Sequence, residues 1–143
     1  MHARTLVVEV GAFRLGPVDL AFQAGRITAV VGPNGSGKST LLRAMCGLQR
    51  AARGAVMVGE REVHGLDAGS RARKVAFVPH RPVMPPALSV REVVSLGRLR
   101  LGRDDAAVES SLAAVGLQDR AGDAAESLSA GQAHRVAMAR MLA

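Results

Sequence analysis

The chain has 143 residues with 19 basic and 12 acidic side chains, a net charge of +7. Its 48% hydrophobic and 22% charged content suits one folded domain with a real core and excludes a disordered or low-complexity chain. No apolar run approaches the roughly 18 residues of a membrane span, and Leu6-Val7-Val8, cut by Glu9, is too short for a signal peptide.

Cys46 is the single cysteine. This rules out an intramolecular disulfide and a cysteine-based zinc site, and it suits a cytosolic chain. The sequence pI of about 11.3 fits nucleic acid, an anionic membrane surface or an acidic partner. Lys38 and Lys74 are the only lysines, so arginine carries the charge. Binders of single strands stack bases on aromatic side chains. Here Phe13, Phe22 and Phe77 are the only aromatics, so no direct nucleic-acid partner is expected.

In chain order, Thr5–Val10 reads as a strand, and Val18–Phe22 alternates apolar and polar residues as a half-buried strand. Ala24-Gly25 marks a turn. Ile27–Val31 is a continuous apolar run, expected as a strand buried on both faces. Lys38–Leu48 reads as a helix, with Leu41, Leu42, Met45 and Leu48 at helical spacing and Gly47 weakening its end. Ala55–Val58 is a strand, Gly59-Glu60 a turn and Ala68–Lys74 a short helix. Val75–Val78 is expected as another buried strand, stopped by Pro79.

Pro82, Pro85 and Pro86 make the next stretch a loop. Ser89 caps a helix reaching Gly97, with Glu92 completing a capping box. Asp104 or Asp105 starts a helix that Gly116 ends. A last helix follows Ser127–Gly131, with Ala133, Val136, Ala137 and Met141 at helical spacing. Strands fill the first half, and only helices follow Pro86.

Between the Ile27 run and the first helix lies Gly32-Pro33-Asn34-Gly35-Ser36-Gly37-Lys38-Ser39, which fits G-x-x-x-x-G-K-[ST] at every fixed position. Glycines let backbone N–H groups curl around an anion. The helix that follows aims its positive end at the same point. Lys38 adds a mobile charge for β- and γ-phosphates, and the Ser39 hydroxyl is a ligand for Mg²⁺. Thr40 completes the set. The pattern specifies nucleotide binding, yet alone it does not separate a kinase, a GTPase and a transport ATPase.

A second motif, Leu128-Ser129-Ala130-Gly131-Gln132, makes that separation. With the phosphate loop, it resembles the nucleotide-binding subunits of ATP-binding cassette (ABC) transporters, whose signature Leu-Ser-Gly-Gly-Gln opens a helix. Order and spacing match over essentially the whole chain. A helix start capped by Ser129 is the plainer reading of the pentapeptide by itself.

The resemblance implies an α/β P-loop NTPase core, a RecA-like sheet with amino-terminal antiparallel strands, joined to a helical subdomain. The expected boundary places residues 1–84 in the β-rich core and 85–143 in the helical subdomain. The implied cofactors are ATP and Mg²⁺. The implied partners are a second cassette paired head to tail, hydrophobic permease subunits and, indirectly, a solute-binding protein. The implied place is the cytoplasmic face of the membrane.

Residue by residue, Ser129, Gly131 and Gln132 would reach the partner cassette's ATP in trans. Phe13 is the candidate for stacking on adenine. His80, after Val75-Ala76-Phe77-Val78-Pro79, stands where the family carries a Mg²⁺-sensing glutamine; it is a candidate metal ligand there, or simply a loop histidine. Ala130 replaces the family's first signature glycine. Val90–Arg98 resembles the corresponding helix of cassettes for iron-siderophore, haem or cobalamin uptake. His2, His64 and His134 have no companion ligands at useful spacing and read as surface residues.

The family's catalytic Asp and Glu and its later histidine follow the signature helix, and residues 133–143 contain no acidic side chain. The sequence therefore reads as an interrupted cassette, cut before the Walker B strand, with no catalytic residue of its own. It is expected to bind ATP weakly and not to turn it over. Two other readings share the motifs: an ABC-type ATPase acting on DNA, and a non-catalytic nucleotide-binding remnant. The first normally inserts a long coiled coil between the motifs, and residues 40–127 hold no sustained heptads.

Overall fold

The computed structural model describes residues 1–143, which divide into two compact units, Met1–Val75 and Ala76–Ala143.

The first unit is built on a four-stranded antiparallel sheet. Strands β1 (His2–Val10), β2 (Phe13–Ala21), β3 (Arg53–Val58) and β4 (Arg61–Glu62) take the order β2-β1-β3-β4. Gly11-Ala12 turns β1 into β2, setting Val10 opposite Phe13 and Glu9 opposite Arg14. The β2 strand thus starts earlier than the alternation at Val18 suggested. Gly59-Glu60 joins β3 to β4, as expected.

The β1–β3 ladder slips between Arg4 and Val7. There Gly54 lies against the Arg4 and Thr5 carbonyls, with no room for a Cβ. A glycine in a strand often marks such a close backbone approach.

Helix α1 (Lys38–Met45) lays Leu41, Ala44 and Met45 on β1, where Ala3, Leu6 and Val8 meet Val56 and Val63 in one buried cluster. Only half the expected stripe is used: Leu42 and Leu48 are exposed, and the helix ends at Met45. Gly47 follows in the left-handed region, packed on Val63 and the Arg71 stem. Helix α2 (Ala68–Ala72) is capped by the Asp67 carboxylate, which accepts from Ser70 N at 2.9 Å.

The second unit is helical. Helix α3 (Val90–Ser95) continues as a 3₁₀ turn over Leu96–Arg98, followed by α4 (Asp105–Ala114) and α5 (Ala130–Leu142). Val90, Val93 and Val94 of α3, Val108 and Leu112 of α4, and Val136 and Ala139 of α5 form its core. The Ser89–Glu92 capping box forms as read, and Asp104 is the cap of α4. Gly116, at φ +65°, ends the turn after α4. On α5 the buried stripe is Ala133, Val136 and Ala139, so Met141 faces outward.

Two expectations fail. Ile27–Val31 and Val75–Val78 join no sheet. Ile27 is 102% exposed and Val31 86%, the reverse of a strand buried on both faces. The cause is non-local. A strand exists only as part of a ladder, and β1 to β4 pair solely among themselves. The compact units divide after Val75.

Candidate functional site

The phosphate loop bends where its sequence permits. Gly35 and Gly37 take φ of +80° and +91°, a region a Cβ disfavours. Ser36 N donates to the Pro33 carbonyl at 3.3 Å, closing the turn. Gly37 is the N-cap of α1, and Leu41 N bonds its carbonyl at 2.8 Å. No side chain caps this helix, and its first turn has no acidic residue. Its N–H groups and positive dipole end are therefore left for an outside anion.

Lys38 bends back over the loop. Its Nζ donates to the Gly32 carbonyl at 2.8 Å and the Pro33 carbonyl at 2.7 Å. Exposed bonds of this kind hold the ammonium close to the loop and exchange readily for stronger, charged acceptors.

A cavity of about 390 Å³ opens over the loop. Val10 and Phe13 of the β1–β2 hairpin wall one part. Asn34, Gly35 and Gly37 of the loop and Lys38, Ser39 and Thr40 of α1 supply the rest. Gly32, Pro33 and Ser36 stay outside the lining and shape the turn. Phe13, 37% exposed, touches the loop itself: a Cβ on Gly37 would lie 2.8 Å from its Cζ. Phe22 instead packs on the core of its unit.

These residues suit a nucleotide: an apolar ring beside N–H donors, an ammonium and two hydroxyls. No Asp or Glu lines the cavity.

In the second unit, Ser129 is the N-cap of α5. Its Oγ accepts from Gln132 N at 3.4 Å, and Gln132 Oε1 accepts from Ser129 N at 2.9 Å. The pentapeptide is thus a complete capping box, which the Ser-x-x-Gln spacing could have revealed. Gly131 has open space around it, and Ala130 is exposed. Ala130 is not among the residues with positive φ, so its Cβ does not strain the helix start.

His80 is exposed, and its ring lies 6.3 Å from that of His134. A partner 54 positions away gives His134 no spacing signal in the sequence. His64 is not the surface residue expected either: its Nε2 is enclosed with no hydrogen-bond partner.

The chain is similar in sequence to known proteins. A cobalamin import ATP-binding protein of Halobacterium salinarum is 40% identical over 145 residues, covering 96% of this chain and 36% of that protein. A hemin import ATP-binding protein of Pseudomonas entomophila is 40% identical over 133 residues, covering 90% and 52%. An iron(3+)-hydroxamate import ATP-binding protein of Bacillus subtilis is 34% identical over 134 residues, covering 88% and 50%. The chain thus spans about half or less of the length of these relatives.

Among solved structures, an ATP-binding cassette in a dimeric post-hydrolysis state with ADP and Pi matches with a TM-score of 0.84 at 26% identity, covering 99% of this chain and 68% of that one. The ATP-binding subunit of an ABC transporter matches with a TM-score of 0.84 at 24% identity, covering 99% and 61%, and shows the same P-loop NTPase fold. The ABC transporter family profile matches residues 15–143. On the phosphate loop, the capped signature helix and this match, the chain belongs to the ABC transporter family.

Proposed function

We propose that this chain is the nucleotide-binding part of an ABC import ATPase, holding ATP over α1. The observation that carries the reading is the meeting of Phe13 with the uncapped start of α1 around one cavity. Adenine asks for a flat apolar face, and a triphosphate asks for converging N–H donors and a cation. The hairpin supplies the first and the loop the second.

The geometry supports the following roles. The loop N–H groups cradle the phosphates, and Phe13 holds the base. Lys38 exchanges the Gly32 and Pro33 carbonyls for phosphate oxygens, trading neutral acceptors for charged ones. Ser39 is the side chain placed to hold Mg²⁺, which when bound neutralises phosphate charge. Ser129, Gly131 and Gln132 stand at a second helix start, exposed enough to meet nucleotide held by another cassette in a head-to-tail pair.

The names of the relatives support cobalamin, haem or iron-chelate import as the transport class. That reading brings permease subunits, the cytoplasmic membrane face and, indirectly, a solute-binding protein. No carboxylate lines the cavity to activate water, so the residues named here bind ATP and do not themselves supply its hydrolysis.

The test is binding of a fluorescent ATP analogue with Mg²⁺, alongside phosphate release. Binding that drops at least about tenfold in Lys38→Ala supports the site. Equal binding in Lys38→Ala overturns it. Mg²⁺-dependent ATPase activity lost in Lys38→Ala would overturn the absence of turnover alone.

A further inference from the structure

We propose that His80 and His134 form a two-imidazole site for a borderline transition-metal dication of the Zn²⁺, Ni²⁺ or Cu²⁺ class, separate from the Mg²⁺ chemistry of the phosphate loop. The two rings come together from the loop after Pro79 and from the first turns of α5, at a centroid separation of 6.3 Å and a tilt of 59°.

The tautomer of His134 favours this. Its Nδ1 lies 3.1 Å from the Ala130 carbonyl. A carbonyl only accepts, so Nδ1 carries the proton and Nε2 presents its lone pair. Metal-binding histidines are commonly set in this way, with one ring nitrogen tied to a backbone carbonyl and the other left for the ion. The bond also fixes the ring, so His134 is the ordered half of the pair.

His80 is the adjustable half. Imidazole nitrogen binds such ions at about 2.0–2.1 Å, which places two ring centroids about 5 Å apart around a tetrahedral ion. The observed separation exceeds that by about 1 Å, a distance that χ rotation of an exposed histidine covers.

No third His, Cys, Asp or Glu joins them. Water or an added ligand therefore completes the coordination sphere. Nitrogen-only donation selects the imidazole-preferring ions and rejects Mg²⁺ and Ca²⁺, which want oxygen. Once bound, the ion ties the loop bearing His80 to the first turns of α5, next to Ser129.

The test uses the whole chain, stripped of metal and free of nucleotide, so its outcome is independent of ATP binding. Zn²⁺, Ni²⁺, Cu²⁺ and Mg²⁺ are titrated by calorimetry. One equivalent of at least one of the first three binds and Mg²⁺ does not. His80→Gln and His134→Gln each weaken that binding at least about tenfold, and the double variant loses it. His2→Gln, His64→Gln and Cys46→Ser retain it. Far-UV circular dichroism confirms that each variant is folded. NMR follows metal-induced shifts at the two imidazoles, so a variant that fails to fold leaves the wild-type spectrum as the test. Unchanged binding in the folded double variant, loss of binding in Cys46→Ser, or no shift at either ring in the wild type overturns the site.

Discussion

Phe13 and Gly37 are in contact: a Cβ added to Gly37 would lie 2.8 Å from Cζ of the ring. One residue starts β2 and the other caps α1, so the hairpin directly braces the phosphate loop. Gly37 also needs its φ of +91°. Gly37→Ala therefore suffers twice, from the backbone and from the ring. It should cost about 1–3 kcal/mol of stability and at least about tenfold in nucleotide affinity. Adding Phe13→Ala should recover the ring's part of the steric cost, leaving Leu15 Cδ1 at 3.1 Å from the new Cβ, and none of the nucleotide affinity. Urea unfolding and analogue binding on the single and double variants measure both. Strictly additive losses would show that the ring does not brace the loop.

Ser129 offers a way to separate folding from nucleotide recognition. Ser129→Ala removes the cap of α5 and should cost about 1 kcal/mol. Ser129→Asp keeps a good N-cap and should be near neutral for stability, yet it sets a negative charge where a partner's γ-phosphate would approach. ATP-driven pairing, followed by light scattering with a complete cassette, should fail in both variants. Normal pairing by Ser129→Asp would remove this residue from the nucleotide interface.

The Ser89–Glu92 capping box predicts an acid-sensitive helix. The Ser89 hydroxyl, and after it the Ser89 N–H, hold the Glu92 carboxyl below its usual pKa. A depressed carboxyl stabilises the fold above its unfolded pKa, about 4.3 for Glu, and loses that contribution as pH falls through the folded value. Glu92→Gln keeps the box without the charge. Its Tm should therefore fall less than wild type between about pH 5 and pH 3. Some acid sensitivity remains, because Asp67 beside Ser70 and Asp105 beside Arg103 are also depressed. Parallel melting curves with identical slopes would show that Glu92 contributes nothing.

Gly97 marks the tightest packing of the helical unit. A Cβ there would collide with the Arg140 carbonyl of α5. Gly97→Ala should force the 3₁₀ turn away from α5 and cost about 1–3 kcal/mol. A larger fluctuation at the Leu96–Arg98 amides, read by hydrogen exchange, is the expected companion. Unaltered exchange and stability would mean that the approach relaxes freely.

Features encoded locally were the legible ones. The phosphate loop, the Asp104 cap, the Ser89–Glu92 box and the turns at Ala24-Gly25 and Gly59-Glu60 each depend on neighbours a few positions away, and they form as read. The placement of Phe13 beside the loop was legible only through family resemblance. The misses depend on distant partners. An apolar run such as Ile27–Val31 has the same composition with or without a ladder beside it, so its exposure has no sequence signal. Nor does sequence alone show that half-buried Val75–Val78 stays outside the sheet, or that His80 meets His134. The exposed Leu42 and Leu48 show that a helical stripe gives spacing but not which of its residues meets a sheet.

The exposure of Ile27 and Val31 bears on how tightly the cavity over the phosphate loop can grip. A phosphate loop is a hinge with two leaves. One leaf, α1, is clamped to the sheet through Leu41, Ala44 and Met45, while the other leads back into a segment with Ile27 and Val31 in solvent. That second leaf touches the core through Val30 alone, so it is the less firmly packed side of the loop. Affinity should rise when Ile27–Val31 gains a neighbour, and bound nucleotide should in turn shield that segment from proteases.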